Sequence, residues 1–196
     1  MKEKVYFITG KHAFASRSYS AWLKGELEGK YNADVTVIDH INPSFPILSE
    51  NLQLLNQYDF NNSHILTHSL GAPTFLNWLK SHDVKIKTLT MLAPASPGTN
   101  HGSRNSEWLK TSGYIGENAK INPTAILPKI AKRPTIIYSE NDQTIRVENF
   151  KKLADLLGGG LIEDPGKDHF FGYEGDNPPE FDIILKSMHL TGKKEH

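Results

Sequence analysis

The chain has 196 residues, 38% of them hydrophobic, and its 22 basic residues are balanced by 22 acidic ones. That length suits a single domain, 1–196, with a real core, and the balanced charge removes the long-range field that favours nucleic acid or an anionic membrane. The absence of cysteine excludes disulfides, thiolate metal sites and cysteine nucleophiles, and leaves the redox compartment open.

The N-terminus passes from Met1-Lys2-Glu3-Lys4 into Val5-Tyr6-Phe7-Ile8. This apolar run is too short for a signal-peptide core and reads as a first strand, 5–9. No stretch approaches the length of a membrane span. A cytoplasmic enzyme or binding protein is the expectation. Tyr19, Trp22, Leu23 and Leu27 then share one helical face, and 35–38 reads as a second strand. Leu48, Leu52 and Leu55 mark the next helix.

A third strand, 64–67, leads into Thr67-His68-Ser69-Leu70-Gly71. Ala72, Phe75, Leu76 and Leu79 follow at i, i+3, i+4 and i+7, an amphipathic helix. A serine at such a sharp strand-to-helix turn stands clear of its neighbours and can be reached by a base. Small residues are needed beside it, because the two backbones approach closely. Gly71 meets that need better than Thr67 does.

Thr88–Leu92 reads as the fourth strand. The segment 96–127 is rich in Gly, Asn, Ser and Thr, with Trp108 and Tyr114 embedded. It is expected to form a lid or substrate loop, with a short helix over 106–110. Thr135–Tyr138 and Gly160–Glu163 are the last two strands. Val147, Phe150 and Ala154 mark the helix between them, and Phe181, Ile184, Leu185 and Met188 the final one. This alternation predicts an α/β fold of three layers: a mostly parallel six-stranded sheet with helices on both faces.

In such sheets, sites collect at the carboxyl ends of the strands. Ser139-Glu140-Asn141-Asp142-Gln143 follows the fifth strand, and Lys167-Asp168-His169-Phe170 lies beyond the sixth. The chain order Ser, Asp, His is that of α/β-hydrolases. In these roles His169 is the general base for Ser69, and Asp142 fixes its tautomer. Glu140, Asp164 and Asp168 compete with Asp142 for the acid role. Leu70 offers a backbone N–H to the developing oxyanion. The second donor is assigned to Lys11 or a neighbour, after the strand-ending Thr9-Gly10.

Other residues carry two readings. Phe45, Trp108 and Tyr114 either line an apolar acyl pocket or belong to the core. His12 lines the pocket mouth or faces solvent. His64 reads as a strand-start residue and His68 as local packing. No metal-binding motif is present, so neither metal nor cofactor is expected. Gly158-Gly159-Gly160 precedes a strand and reads as a helix cap and turn rather than a phosphate loop.

Taken together, Val5 to Gly10, Thr67-His68-Ser69-Leu70-Gly71-Ala72-Pro73, Tyr138 to Gln143 and Asp168-His169-Phe170 resemble the α/β-hydrolases. More narrowly, they resemble the small serine hydrolases akin to retinoblastoma-binding protein nine and its bacterial relatives. The resemblance runs over nearly the whole chain. It implies a compact fold lacking the first antiparallel strands of larger members. It also implies a Ser69–Asp142–His169 triad acting on a small ester, amide or thioester. Three departures stand out: Thr67 in place of the first elbow glycine, Thr9 where a His-Gly pair is common, and Lys167-Asp168 before the histidine. Asp168 either acts on the base or points to solvent. The alternative is a hydrolase-like scaffold that binds a protein partner with little turnover, although no partner is indicated. A flavodoxin-like nucleotide or flavin binder shares the alternation but predicts a phosphate loop after the first strand, which Lys11-His12-Ala13-Phe14 does not resemble.

Overall fold

The computed structural model describes residues 2–11, 19–95, 106–170 and 178–190, with the side chain of Ser106 outside that set. The strands are β1 (Glu3–Ile8), β2 (Ala33–Ile38), β3 (His64–His68), β4 (Thr88–Leu92), β5 (Thr135–Tyr138) and β6 (Gly160–Glu163). They form one sheet in the order β2-β1-β3-β4-β5-β6. Every pairing is parallel. The register is continuous across the centre: Ile8 pairs with Thr67, and Thr67 with Met91.

The β-branched and apolar runs form these strands because parallel strands are covered on both faces. All of β3 and β4 is buried, whereas the edge strand β6 is only half-buried. The sequence reading starts β1 two residues late and omits His68 from β3. Polar residues at strand ends carry no apolar signal.

Among the described residues the α-helices are α1 (Tyr19–Lys30), α2 (Leu48–Leu55), α3 (Gly71–Ser81), α4 (Ser106–Thr111), α5 (Pro123–Ile126), α6 (Val147–Leu156) and α7 (Phe181–Met188). Strand order runs one way from β1 to β2 and the other way from β3 to β6. Right-handed crossovers therefore put α1 on one face and α2, α3 and α6 on the opposite one. α7 joins α1, with the Phe181 ring edge-on to Trp22 at 5.9 Å. On the other face Phe60 packs edge-on to Phe75 at 5.3 Å and to Trp78 at 4.8 Å. Such aromatic pairs add about 0.5–1.5 kcal/mol each beyond their burial.

Of the segment 96–127, residues 96–105 lie outside the described set. The remainder folds into α4, a 3-10 turn at Glu117–Ala119 and α5. Leu109, Tyr114, Ala119 and Ile126 are all buried there. The reversal of strand direction opens a crevice between the carboxyl ends of β1 and β3, where α/β sheets bind ligands.

Candidate active site

Ser69 follows β3 directly and has a φ of 50°, in the left-handed region. For a residue with a side chain this costs on the order of 1–3 kcal/mol and persists only where the surroundings enforce it. The Ser69 N–H donates to Leu92 O at 3.0 Å, and Ala95 N–H donates to Ser69 O at 3.0 Å. The end of β4 therefore grips the turn. The end of β1 closes on it from the other side. A Cβ on Gly71 would sit 2.2 Å from Ile8 O, and one on Gly10 would sit 2.8 Å from the Ser69 Cβ. Thr67 is fully buried in this contact, and its Oγ1 has no hydrogen-bond partner among the described residues.

Asp142 sits in the turn after β5, its side chain fully buried. Its Oδ1 accepts from Thr144 N at 2.7 Å and Ile145 N at 2.8 Å. Its Oδ2 lies 2.7 Å from His169 Nδ1. A carboxylate there makes Nδ1 the protonated nitrogen and leaves Nε2 as an acceptor. His169 Nε2 lies 2.9 Å from Ser69 Oγ. The structure thus brings Ser69, His169 and Asp142 into one hydrogen-bonded line.

Two loops are zipped together to hold that line. Asp168 and Phe170, on either side of His169, both have left-handed φ values of 49° and 52°. The Asp168 Oδ1 accepts from Gln143 N at 2.8 Å, and Asp168 N donates to Asn141 Oδ1 at 3.0 Å. Ser139 Oγ accepts from Lys167 N at 3.0 Å and donates to Asn141 Oδ1 at 2.7 Å. The Asp168 carboxylate is therefore spent on the acid loop's backbone. Asp164, the other competitor on this side, accepts from Glu180 N at 2.7 Å, and burial raises its pKa.

Leu70 is the N-cap of α3, with no side-chain cap. Its N–H, and that of Lys11, have no partner among the described residues. An uncapped helix start presents open donors and the positive end of the helix dipole. Lys11 Nζ lies 4.4 Å from the Trp108 ring centre and 5.5 Å from that of Phe45. Phe45 is 59% exposed. Tyr114 is buried behind Trp108, its ring 6.2 Å away. His12 lies outside the described residues. No group of three or more metal-ligating side chains occurs among those described. No described helix is long and apolar enough to cross a membrane.

Of two buried histidines at the elbow, the sequence marks His68 as local packing and gives no sign of His40. His68 Nε2 lies 2.9 Å from His169 O. His40 Nε2 lies 2.9 Å from Thr74 Oγ1, which donates to Leu70 O at 2.8 Å. Tyr114 OH lies 3.1 Å from the same Thr74 hydroxyl. Burial pushes His40 down to about 4 and His68 down to about 3, so both are neutral at pH 7. A polar network thus underlies the elbow.

A parallel sheet carrying a strained serine turn at its switch point defines an α/β-hydrolase fold. The chain belongs to the serine hydrolase family, whose sequence profile matches residues 14–180. It is accordingly a hydrolase. It is 27% identical over 191 residues to the YdeN hydrolase of Bacillus subtilis (strain 168), covering 94% of this chain and 95% of the relative. The crystal structure of that gene product superposes with a TM-score of 0.78 at 22% identity, over 96% of this chain and 100% of the other. The N-formylmaleamic acid deformylase of Pseudomonas putida S16 gives a TM-score of 0.64 at 12% identity, covering 95% and 92% of the two chains. A monoacylglycerol lipase from Paleococcus ferrophilus gives 0.59 at 14% identity, covering 93% and 92%.

Proposed function

We propose that the protein cleaves a small carboxylic ester through an acyl-enzyme formed on Ser69. The observation that carries this reading is the continuous line from Ser69 Oγ to His169 Nε2, 2.9 Å, and from His169 Nδ1 to Asp142 Oδ2, 2.7 Å. The serine oxygen attacks the acyl carbon as His169 Nε2 takes its proton. Asp142 stabilises the imidazolium and keeps the ring from turning. The carbonyl oxygen, now negative, is met by the N–H of Leu70 and by that of Lys11 or a neighbour. One such donor is typically worth about 10²–10³ in turnover. His169 returns the proton to the departing alcohol. A water molecule, activated by the same nitrogen, then releases the acid and restores the serine. Thioesters and amides can follow the same course. A monoacylglycerol lipase and an N-formylmaleamic acid deformylase share this fold.

An alkyl fluorophosphonate tests the reading directly. Stoichiometric labelling at Ser69, lost in Ser69→Ala, is expected. No labelling of folded protein would overturn it and favour a binding scaffold without turnover.

A further inference from the structure

Resting on the reading of Ser69 as nucleophile, we propose that Lys11 makes this site selective for acyl groups that carry a carboxylate. The ammonium meets that carboxylate at the mouth of the site, between Phe45 and Trp108.

The first argument is what Lys11 lacks. Lys4, Lys24, Lys30, Lys87, Lys120 and Lys167 each pair with a carboxylate. Lys80, Lys85 and Lys129 donate to backbone carbonyls. Lys11 is half-buried and does neither among the described residues. Its contacts are two aromatic faces, at 4.4 and 5.5 Å. These faces attract the cation but leave its charge uncompensated. Burial lowers its pKa, and no anion among the described residues opposes it. The sequence between Glu3 and Glu26 contains no acidic residue, nor does that between Asp83 and Glu107. The stretches leaving β1 and β4 therefore supply no internal counter-ion. Among the described residues this partly dehydrated ammonium meets no carboxylate, which sets it up to receive one from a ligand.

The second argument is position. Lys11 follows Gly10, which packs against the Ser69 Cβ. Its backbone N–H is the candidate for the second oxyanion contact. A substrate whose carbonyl oxygen meets that N–H lies against the same residue whose side chain carries the ammonium. The flanking rings offer apolar walls for a short hydrocarbon spacer. A single ammonium suits a monoanionic carboxylate. A phosphate dianion calls for several convergent donors.

The test compares 4-nitrophenyl hemiglutarate with 4-nitrophenyl valerate, which match in chain length and differ in the terminal charge. Fluorophosphonate labelling counts the competent sites in each variant. At low salt the wild type is expected to favour the hemiglutarate by about tenfold in kcat/KM, the size of one charge-assisted contact. The preference shrinks in 0.5 M sodium chloride. Lys11→Met removes it, and Lys11→Glu reverses it. A wild-type ratio at or below one, or a ratio within twofold of wild type in Lys11→Met, overturns the proposal. If neither ester is turned over, the hydrolase mechanism fails by itself. Glutarate binding to Ser69→Ala, read by Trp fluorescence, then decides: a saturable change lost on adding Lys11→Met sustains the carboxylate site, and no saturable change overturns it.

Discussion

His68 donates from Nε2 to the backbone carbonyl of His169, 2.9 Å away, across a sequence separation of 101 residues. A carbonyl oxygen can only accept, so His68 carries its proton on Nε2. The residue preceding the nucleophile therefore pins the loop that carries the base, and their rings lie 5.2 Å apart. His68 is a positioning residue. His68→Leu should leave that buried carbonyl unpaired, at a cost of about 1–3 kcal/mol. It should also lower kcat on a 4-nitrophenyl ester about tenfold, with KM little changed. His68→Gln, which can donate again, should recover most of the loss. Equal kcat in wild type and His68→Leu would remove the residue from the mechanism.

Asp142→Asn should spare the fold while stopping most turnover. Its Oδ1 accepts two backbone N–H groups, and an amide oxygen can still do so. The amide nitrogen then faces His169 Nδ1 and donates to it. The imidazole proton is driven to Nε2, where it confronts the Ser69 hydroxyl as a donor. The wrong tautomer costs about 10⁴ in kcat in the comparable substitution of a serine protease. Steady-state rates beside an unchanged circular dichroism spectrum would show this. A loss of less than tenfold would move the acid role elsewhere.

The close approach of β1 to the elbow sets opposite fates for two glycines. In Gly71→Ala the new Cβ would lie 2.2 Å from Ile8 O and 2.8 Å from Thr9 O, both backbone atoms that cannot yield. We expect destabilisation by more than about 3 kcal/mol, or no soluble protein. Gly25, inside α1, has nothing within 4 Å of such a Cβ. Gly25→Ala should stabilise by about 0.5–1 kcal/mol through helix propensity. Urea midpoints measured on the two variants check both signs.

Much of the architecture was legible because its cause is local. β4, β5 and β6 are short apolar runs bounded by turn residues, and their ends fall where the pattern changes. α5 was missed, since a helix of four residues has too few turns to show periodicity. At the site, chain order and position after the strands pointed to the serine, acid and histidine that the fold brings together, with Glu140, Asp164 and Asp168 left as competitors for the acid. The pins around them were not legible. Asp168 reaches Gln143, His68 reaches His169 and His40 reaches Thr74 across 25, 101 and 34 residues. Hydrogen bonds between distant polar side chains leave no periodic trace in the sequence.

The same buried histidines give the protein a pH dependence of definite sign. Burial pushes His68 down to about 3 and His40 to about 4 from an ordinary 6.5. His64 is lowered for the same reason. Between these values and 6.5 the unfolded chain binds more protons than the folded one, so stability falls on acidification. Each fully buried histidine contributes a slope of up to about 1.4 kcal/mol per pH unit in that window. Asp164, raised by burial, works in the opposite direction above its ordinary 3.8. Glu3, Glu28 and Asp59 have lowered pKa values and lose their stabilising charge only near and below the ordinary carboxylate range. Urea midpoints taken between pH 5 and 7 lie above the range of those three carboxylates and follow the histidines, with Asp164 opposing them. Wild type should weaken steadily from pH 7 to pH 5, and His68→Gln should show a shallower slope because one of those protons no longer binds on unfolding. Parallel slopes would mean that His68 takes up its second proton as readily in the folded protein as in the unfolded chain. Its Nε2–H would still reach the His169 carbonyl, but Nδ1 would then need an acceptor of its own in a site closed to water.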